Sequence, residues 1–124
     1  MKSSGENMFV KKINDVKREK VGNGINTYKQ VLIGTDEAPN FAMRKFIIEP
    51  GGSMPLHKNS VEHEQYVLNG SAEVKISDKV FIVKKNDIVF IPEGIEHNYK
   101  TIGDEPFEFL CIVPNKTDNL QIIE

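Results

Sequence analysis

The chain contains three histidines, His57, His63 and His97, all in its central part. Neutral imidazole is a good ligand for Zn²⁺, Fe²⁺, Ni²⁺ and Cu²⁺. Two of the three stand close together in sequence and the third comes from a later segment, so a fold that converges them would make a divalent-metal site. An antiparallel sheet can do this. A histidine taken singly in a β-rich domain is more often a surface or hydrogen-bonded residue, so the surroundings of each one matter. His57 follows Pro50-Gly51-Gly52, His63 opens a run ending at Asn69-Gly70, and His97 follows Pro92-Glu93-Gly94.

The segments that must position these side chains read as short strands punctuated by turn residues. Ile25–Ile33 reads as a strand ending at Gly34-Thr35-Asp36, and residues 41–48 read as a second, stopped at Pro50-Gly51-Gly52. A third covers residues 64–68. Asn69-Gly70 then supplies a hairpin signal, because this pair takes the positive φ angles of a primed turn. Ala72, Val74 and Ile76 alternate with Glu73, Lys75 and Ser77, the period of a strand with one face in the core. Asp78-Lys79 is expected to turn the chain into residues 80–83. Ile88–Ile91 is a continuous apolar run too short for a helix and reads as a strand buried on both faces. Residues 107–113 form the last strong strand. Residues 14–19 can make one helical turn, and no apolar stripe at helical spacing supports more. The chain is read as all-β.

Two segments carry a family resemblance. PGGSMPLHKNSVEHEQYVLNG resembles the first cupin motif, G-x5-H-x-H-x3,4-E-x6-G. Gly51, His57 and Gly70 match it, Asn59 stands at the second His position, and His63 stands at the Glu position. NDIVFIPEGIEHNYKT resembles the second motif, G-x5-P-x-G-x2-H-x3-N. Pro92, Gly94 and His97 match, Asn86 replaces the Gly, and Thr101 replaces the final Asn. The resemblance implies an all-β, single-domain cupin-type β-barrel, a double-stranded jelly roll. It is closest to a subgroup of small cupins in which His rather than Glu ends the first metal-binding motif.

That resemblance implies a metal ligand set of His57, His63 and His97, with Asn59 at the place of a missing fourth histidine. An amide oxygen suits hard cations better than soft ones. Asn59 is either a distant or water-bridged ligand or leaves its position to water. Both leave an open three-His centre, the arrangement a catalytic ion needs. The expected cofactor is a divalent transition metal, Fe, Mn, Ni or Zn.

Around this centre, strand parity places Gln65 and Val67 on the same face as His63, with Glu64 and Tyr66 opposite. Gln65 is a candidate to bind a ligand or substrate. Arg44, inside an apolar strand, would hold a substrate carboxylate in a bidentate pair if it points inward. Cys111, in FLCIV, is a buried packing residue by default and otherwise a pocket-lining thiol. Tyr66 and Tyr99 read as packing residues, and Glu64 and Glu96 are expected to point away from the metal.

The remaining composition narrows the function classes. With 124 residues, 39% hydrophobic and 27% charged, the chain suits one soluble domain, read as residues 8–124 after a flexible tail at residues 1–7. A net charge of −2 and a basic stretch interrupted by Asp15 and Glu19 disfavour nucleic-acid binding. One cysteine excludes an internal disulfide, and no apolar run marks a signal peptide or membrane helix, which fits a cytoplasmic protein without a membrane partner. The expected function is a metal-dependent enzyme on a small organic substrate, with a lean to a dioxygenase-like oxidoreductase. The alternatives are an isomerase or sugar-acid converting enzyme and a non-enzymatic ligand-binding module. A homodimer is expected, using apolar residues among 8–13 and 107–113.

Overall fold

The computed structural model describes residues 8–123, so the expected tail at residues 1–7 lies outside the described residues. Among the described residues, a 3-10 turn, Ile13–Asp15, is followed by ten strands: β1 Glu19–Lys20, β2 Ile25–Ile33, β3 Phe41–Lys58, β4 His63–Asn69, β5 Ser71–Ile76, β6 Lys79–Lys84, β7 Ile88–Ile91, β8 His97–Ile102, β9 Phe107–Pro114 and β10 Gln121–Ile122. They form one antiparallel sheet with the path β6-β5-β8-β3-β9-β4-β7, and β2 and β10 add to β3. The sheet curls into a jelly-roll barrel around its inward side chains. No helix among the described residues is long and apolar enough to cross a membrane.

β3 is the organising strand. The expected strand at residues 41–48 does not stop at Pro50-Gly51-Gly52 but bends there and continues. Its first half pairs with β2 and β9, and its second half pairs with β8 and β10. One strand therefore belongs to both walls of the barrel.

Inward residues line up in rows across neighbouring strands, as period-two alternation requires. Phe46, Phe109 and Val67 make one row, and Arg44, Cys111 and Gln65 make the next. The first is apolar and fully packed. Phe46 and Phe109 stack with ring centroids 5.4 Å apart, and Tyr99 stacks on Phe109 at 5.1 Å. Each buried ring contributes on the order of 1.5–3 kcal/mol from removal of apolar surface from water. The second row is polar and opens the site end of the barrel.

Two further expectations are corrected. Asn69-Gly70 does not close a hairpin, because β4 pairs with β7 and β9 while β5 pairs with β6 and β8. The chain crosses there from one wall to the other. Gly70 is required by space: at φ +75°, an added Cβ would lie 2.3 Å from the carbonyl oxygen of Pro106. The Ile88–Ile91 strand is not buried on both faces. It lies at the end of the sheet path, so Ile88 and Phe90 face outward while Val89 and Ile91 enter the core. β8 is the later strand that carries His97, and it pairs with β5 and β3.

Candidate metal centre

His57 and His97 occupy directly opposed positions on β3 and β8, and their ring centroids lie 4.2 Å apart. His63 opens β4 on the other wall, 5.8 Å from His97 by ring centroid. All three imidazoles are buried and line one pocket of about 120 Å³. The three rings therefore converge on one pocket.

The backbone sets the tautomers. Nδ1 of His57 lies 2.7 Å from the carbonyl oxygen of Pro55, and Nδ1 of His97 lies 2.9 Å from that of Ile95. A carbonyl only accepts, so each Nδ1 carries the proton and each Nε2 presents a lone pair. For His97 the supporting turn is tied down by the Gly94 N–H, which donates to the carbonyl of Asn59 at 2.7 Å. Gly94 sits at φ +77°, a backbone state that glycine adopts without strain. His63 differs: its Nδ1 meets the thiol of Cys111 at 3.2 Å. A thiol both donates and accepts, so the ring keeps this contact in either tautomer.

Electrostatics keep the imidazoles neutral. Burial lowers the pKa of His57. Burial takes His63 down to about 3, with Arg44, His97 and His57 adding to the effect. His97 falls to about 4 through burial and His57, against the opposing pull of its Ile95 hydrogen bond and of Asp118. Neutral imidazole is the ligating form.

The fit to a cation rests on unpaired donors. Nε2 of His63, Nε2 of His97 and Oδ1 of Asn59 are buried without a hydrogen-bond partner. Orphaned buried acceptors are rare, and each carries a desolvation penalty of roughly 1–3 kcal/mol. Lone pairs collected in one pocket suit a divalent ion. Among the described residues no group of three or more His, Cys, Asp or Glu side chains is placed to hold a metal ion by itself; the candidate set is the three imidazoles together with the amide oxygen of Asn59.

The other expected site residues are placed as follows. Arg44 points inward, lines the pocket, lies 5.1 Å over the Phe46 ring, and directs Nη2 to Cys111 Sγ at 3.5 Å. Gln65 also lines the pocket, and its Nε2 donates to the Tyr99 hydroxyl at 2.7 Å. Cys111 does not line the pocket. It is fully buried behind the wall, where Arg44, Gln65 and His63 surround its sulfur, and burial pushes its pKa up. Tyr66 is not a packing residue: it is exposed, and its hydroxyl donates to Asn86. Glu64 faces outward with Tyr66, as parity requires.

Sequence reasoning missed several pocket residues, Tyr99 and Asp118 among them. Tyr99 is a pocket wall as well as a core residue, and burial raises its pKa well above the usual phenol range. Its inward parity with His97 on β8 was the available signal. Asp118, from the segment after β9, also lines the pocket, and no local signal marks it.

The comparisons agree with this architecture. The model of the Cupin_2 family, described as a cupin domain, matches residues 44–113. The polyketide cyclase RemF from Streptomyces resistomycificus superposes with a TM-score of 0.87 at 30% identity, covering 94% of this chain and 86% of that one. A cupin 2 domain-containing protein from Halorhodospira halophila gives 0.75 at 35% identity, covering 80% and 71%. A mannose-1-phosphate guanylyltransferase from Klebsiella pneumoniae is 35% identical over 78 residues, 61% of this chain. The match spans only 16% of that enzyme.

Proposed function

The chain belongs to the cupin domain family, and on that premise we propose that it is a divalent-metal-dependent enzyme that polarises a carbonyl group of a small organic substrate. The observation that carries this reading is the set of unpaired lone pairs, Nε2 of His63 and His97 with Oδ1 of Asn59, collected beside His57 in one pocket. An ion held by these residues would supply Lewis acidity toward a carbonyl oxygen.

The chain's own residues do the rest. Tyr99 accepts from Gln65, which leaves its own proton free to donate to a substrate oxygen. Burial keeps that phenol protonated. The Arg44 guanidinium has no carboxylate partner among the ion pairs of the described residues, and it would pair with a substrate carboxylate or a developing oxyanion. Phe46, Phe109 and Met54 wall the pocket and exclude water. A volume of about 120 Å³ admits a substrate of a few heavy atoms, or the reacting end of a longer one. The likeness to a polyketide cyclase supports an organic substrate of that class. The guanylyltransferase likeness covers too little of that enzyme to carry its activity here.

A second reading, a dioxygenase-like oxidoreductase, is favoured by one feature: the proposed donor set is built on neutral imidazoles, which bind Fe²⁺. One experiment separates the two. Untagged protein is assayed for bound metal, then incubated metal-free and metal-loaded with small ketoacids in D₂O. Metal-dependent deuterium uptake beside the carbonyl without oxygen consumption supports the first reading. Oxygen consumption supports the second. Protein that neither binds an ion nor gains melting temperature with one is a ligand-binding module instead.

A further inference from the structure

The segment after β9 folds back over the open end of the site. β10 pairs Gln121 with Lys58 and Ile122 with His57, and the Asn119 N–H donates to the Ser60 hydroxyl at 2.8 Å. Just before these anchors, Asp118 reaches the turn that follows β3. Its Oδ1 accepts from the backbone N–H of Ser60 at 3.0 Å, and its Oδ2 accepts from Nδ2 of Asn59 at 2.8 Å.

This contact has a directional consequence. An ionised carboxylate only accepts, so the edge of the Asn59 amide that faces it must be the NH₂. The amide oxygen then points away from Asp118, and it is the atom found buried with no partner. Asn59 and Asp118 both line the pocket of the three histidines. Left to itself, the amide could turn either edge to that pocket. An NH₂ turned inward would repel a cation, whereas an oxygen attracts one.

We propose that Asp118 is a positioning residue that locks the Asn59 amide with its oxygen toward the three imidazoles, so that the C-terminal segment completes the cation site. What the oxygen serves rests on the metal reading above; its orientation does not. Asp118 also brings a negative charge to a donor set that is otherwise neutral.

Asp118→Asn tests this without changing shape. The Ser60 N–H is fixed in the backbone, so the new side chain must turn its oxygen to Ser60 and its NH₂ to Asn59. Asn59 must then flip and present NH₂ to the imidazoles. Mn²⁺ affinity, titrated on untagged protein, is expected to fall about 10- to 100-fold, the usual effect of losing a group that orients a ligand. The swapped pair N59D/D118N returns an oxygen to both places and is expected to restore binding. In metal-free protein, the side-chain amide of Asn59 should give a protected NMR signal that D118N abolishes. An unchanged Asn59 signal in D118N, or a swapped pair that binds no better than D118N alone, overturns the proposal. If D118N does not fold, Asp118→Ala frees the amide and takes its place in both measurements. If the unaltered protein binds no Mn²⁺, the metal reading fails, and the amide signal alone decides whether Asp118 locks Asn59.

Discussion

His63 and Cys111 meet behind the pocket wall, Nδ1 to Sγ at 3.2 Å, on neighbouring strands β4 and β9. The thiol supports one imidazole in the way that backbone carbonyls support the other two. Cys111→Ala leaves a buried ring nitrogen without a partner, a loss of about 1–3 kcal/mol. It is also expected to weaken divalent-ion binding about tenfold, because His63 is no longer oriented. Urea unfolding and metal titration check the two effects, and Cys111→Ser, which keeps a hydrogen-bonding group, should lose less of both.

Removing a ligand itself should do more. His63→Ala is expected to lower divalent-metal affinity by more than about 100-fold, beyond the effect of losing an orienting partner. Elemental analysis of untagged protein checks this. Equal metal content in the variant and the unaltered protein would remove His63 from the ligand set. Chelation of the ion should lower the melting temperature of the unaltered protein only.

Metal-free protein should lose stability as pH falls from about 6.5. The folded His63 and His97 protonate only near about 3 and about 4, whereas unfolded histidine protonates near 6.5. Between those values the unfolded chain binds more protons, so stability rises with pH. Each histidine should contribute a slope of about 1.4 kcal/mol per pH unit well below 6.5. Glu64, raised to about 7 by its hydrogen bond with Glu62, works in the opposite direction, but it is only half-buried on the outer face, where solvent screens it. Denaturation midpoints from pH 7.5 to 4.5 measure the net slope, and His63→Gln should flatten it.

Gly70→Ala should destabilise the fold by about 3 kcal/mol or more. The substitution combines a left-handed backbone with an overlap against the Pro106 carbonyl, and backbone atoms give little way. Thermal unfolding checks it. Gly51, which also has positive φ but open space around its Cβ position, should lose less on the same change.

Arg44→Met should leave metal content unchanged and raise KM for a carboxylate-bearing substrate about tenfold or more, since it removes the planar fork that pairs both carboxylate oxygens, and Lys29, also on the pocket wall, offers only a point charge. Arg44→Lys should recover part of the loss, because a point charge lacks the planar fork. An unchanged KM in both variants would place the substrate elsewhere.

The amino-acid sequence by itself determined the features governed by near neighbours. The alternation along β5, the strands β2 and β9, and the turn residues that bound them follow from side-chain period, strand-forming residue types and φ preference. Even the departures from the family pattern have local reasons. Asn86, in a glycine position, sits at φ +77°, a state that asparagine tolerates. Thr101, in an asparagine position, donates to the Ile48 carbonyl at 2.9 Å. The three histidines were legible because the residues flanking them belong to two recognisable motifs. Only the tertiary structure decided which distant strands became neighbours. It turned β7 into a strand with one open face, put Cys111 behind His63 rather than in the pocket, and brought Asp118 to Asn59 across nearly half the chain. Such contacts depend on cross-strand register and on the path of the C-terminal segment, and neither leaves a local pattern to read. The three imidazoles are thus written in the sequence, and the groups that orient them and Asn59 are a product of the folded barrel.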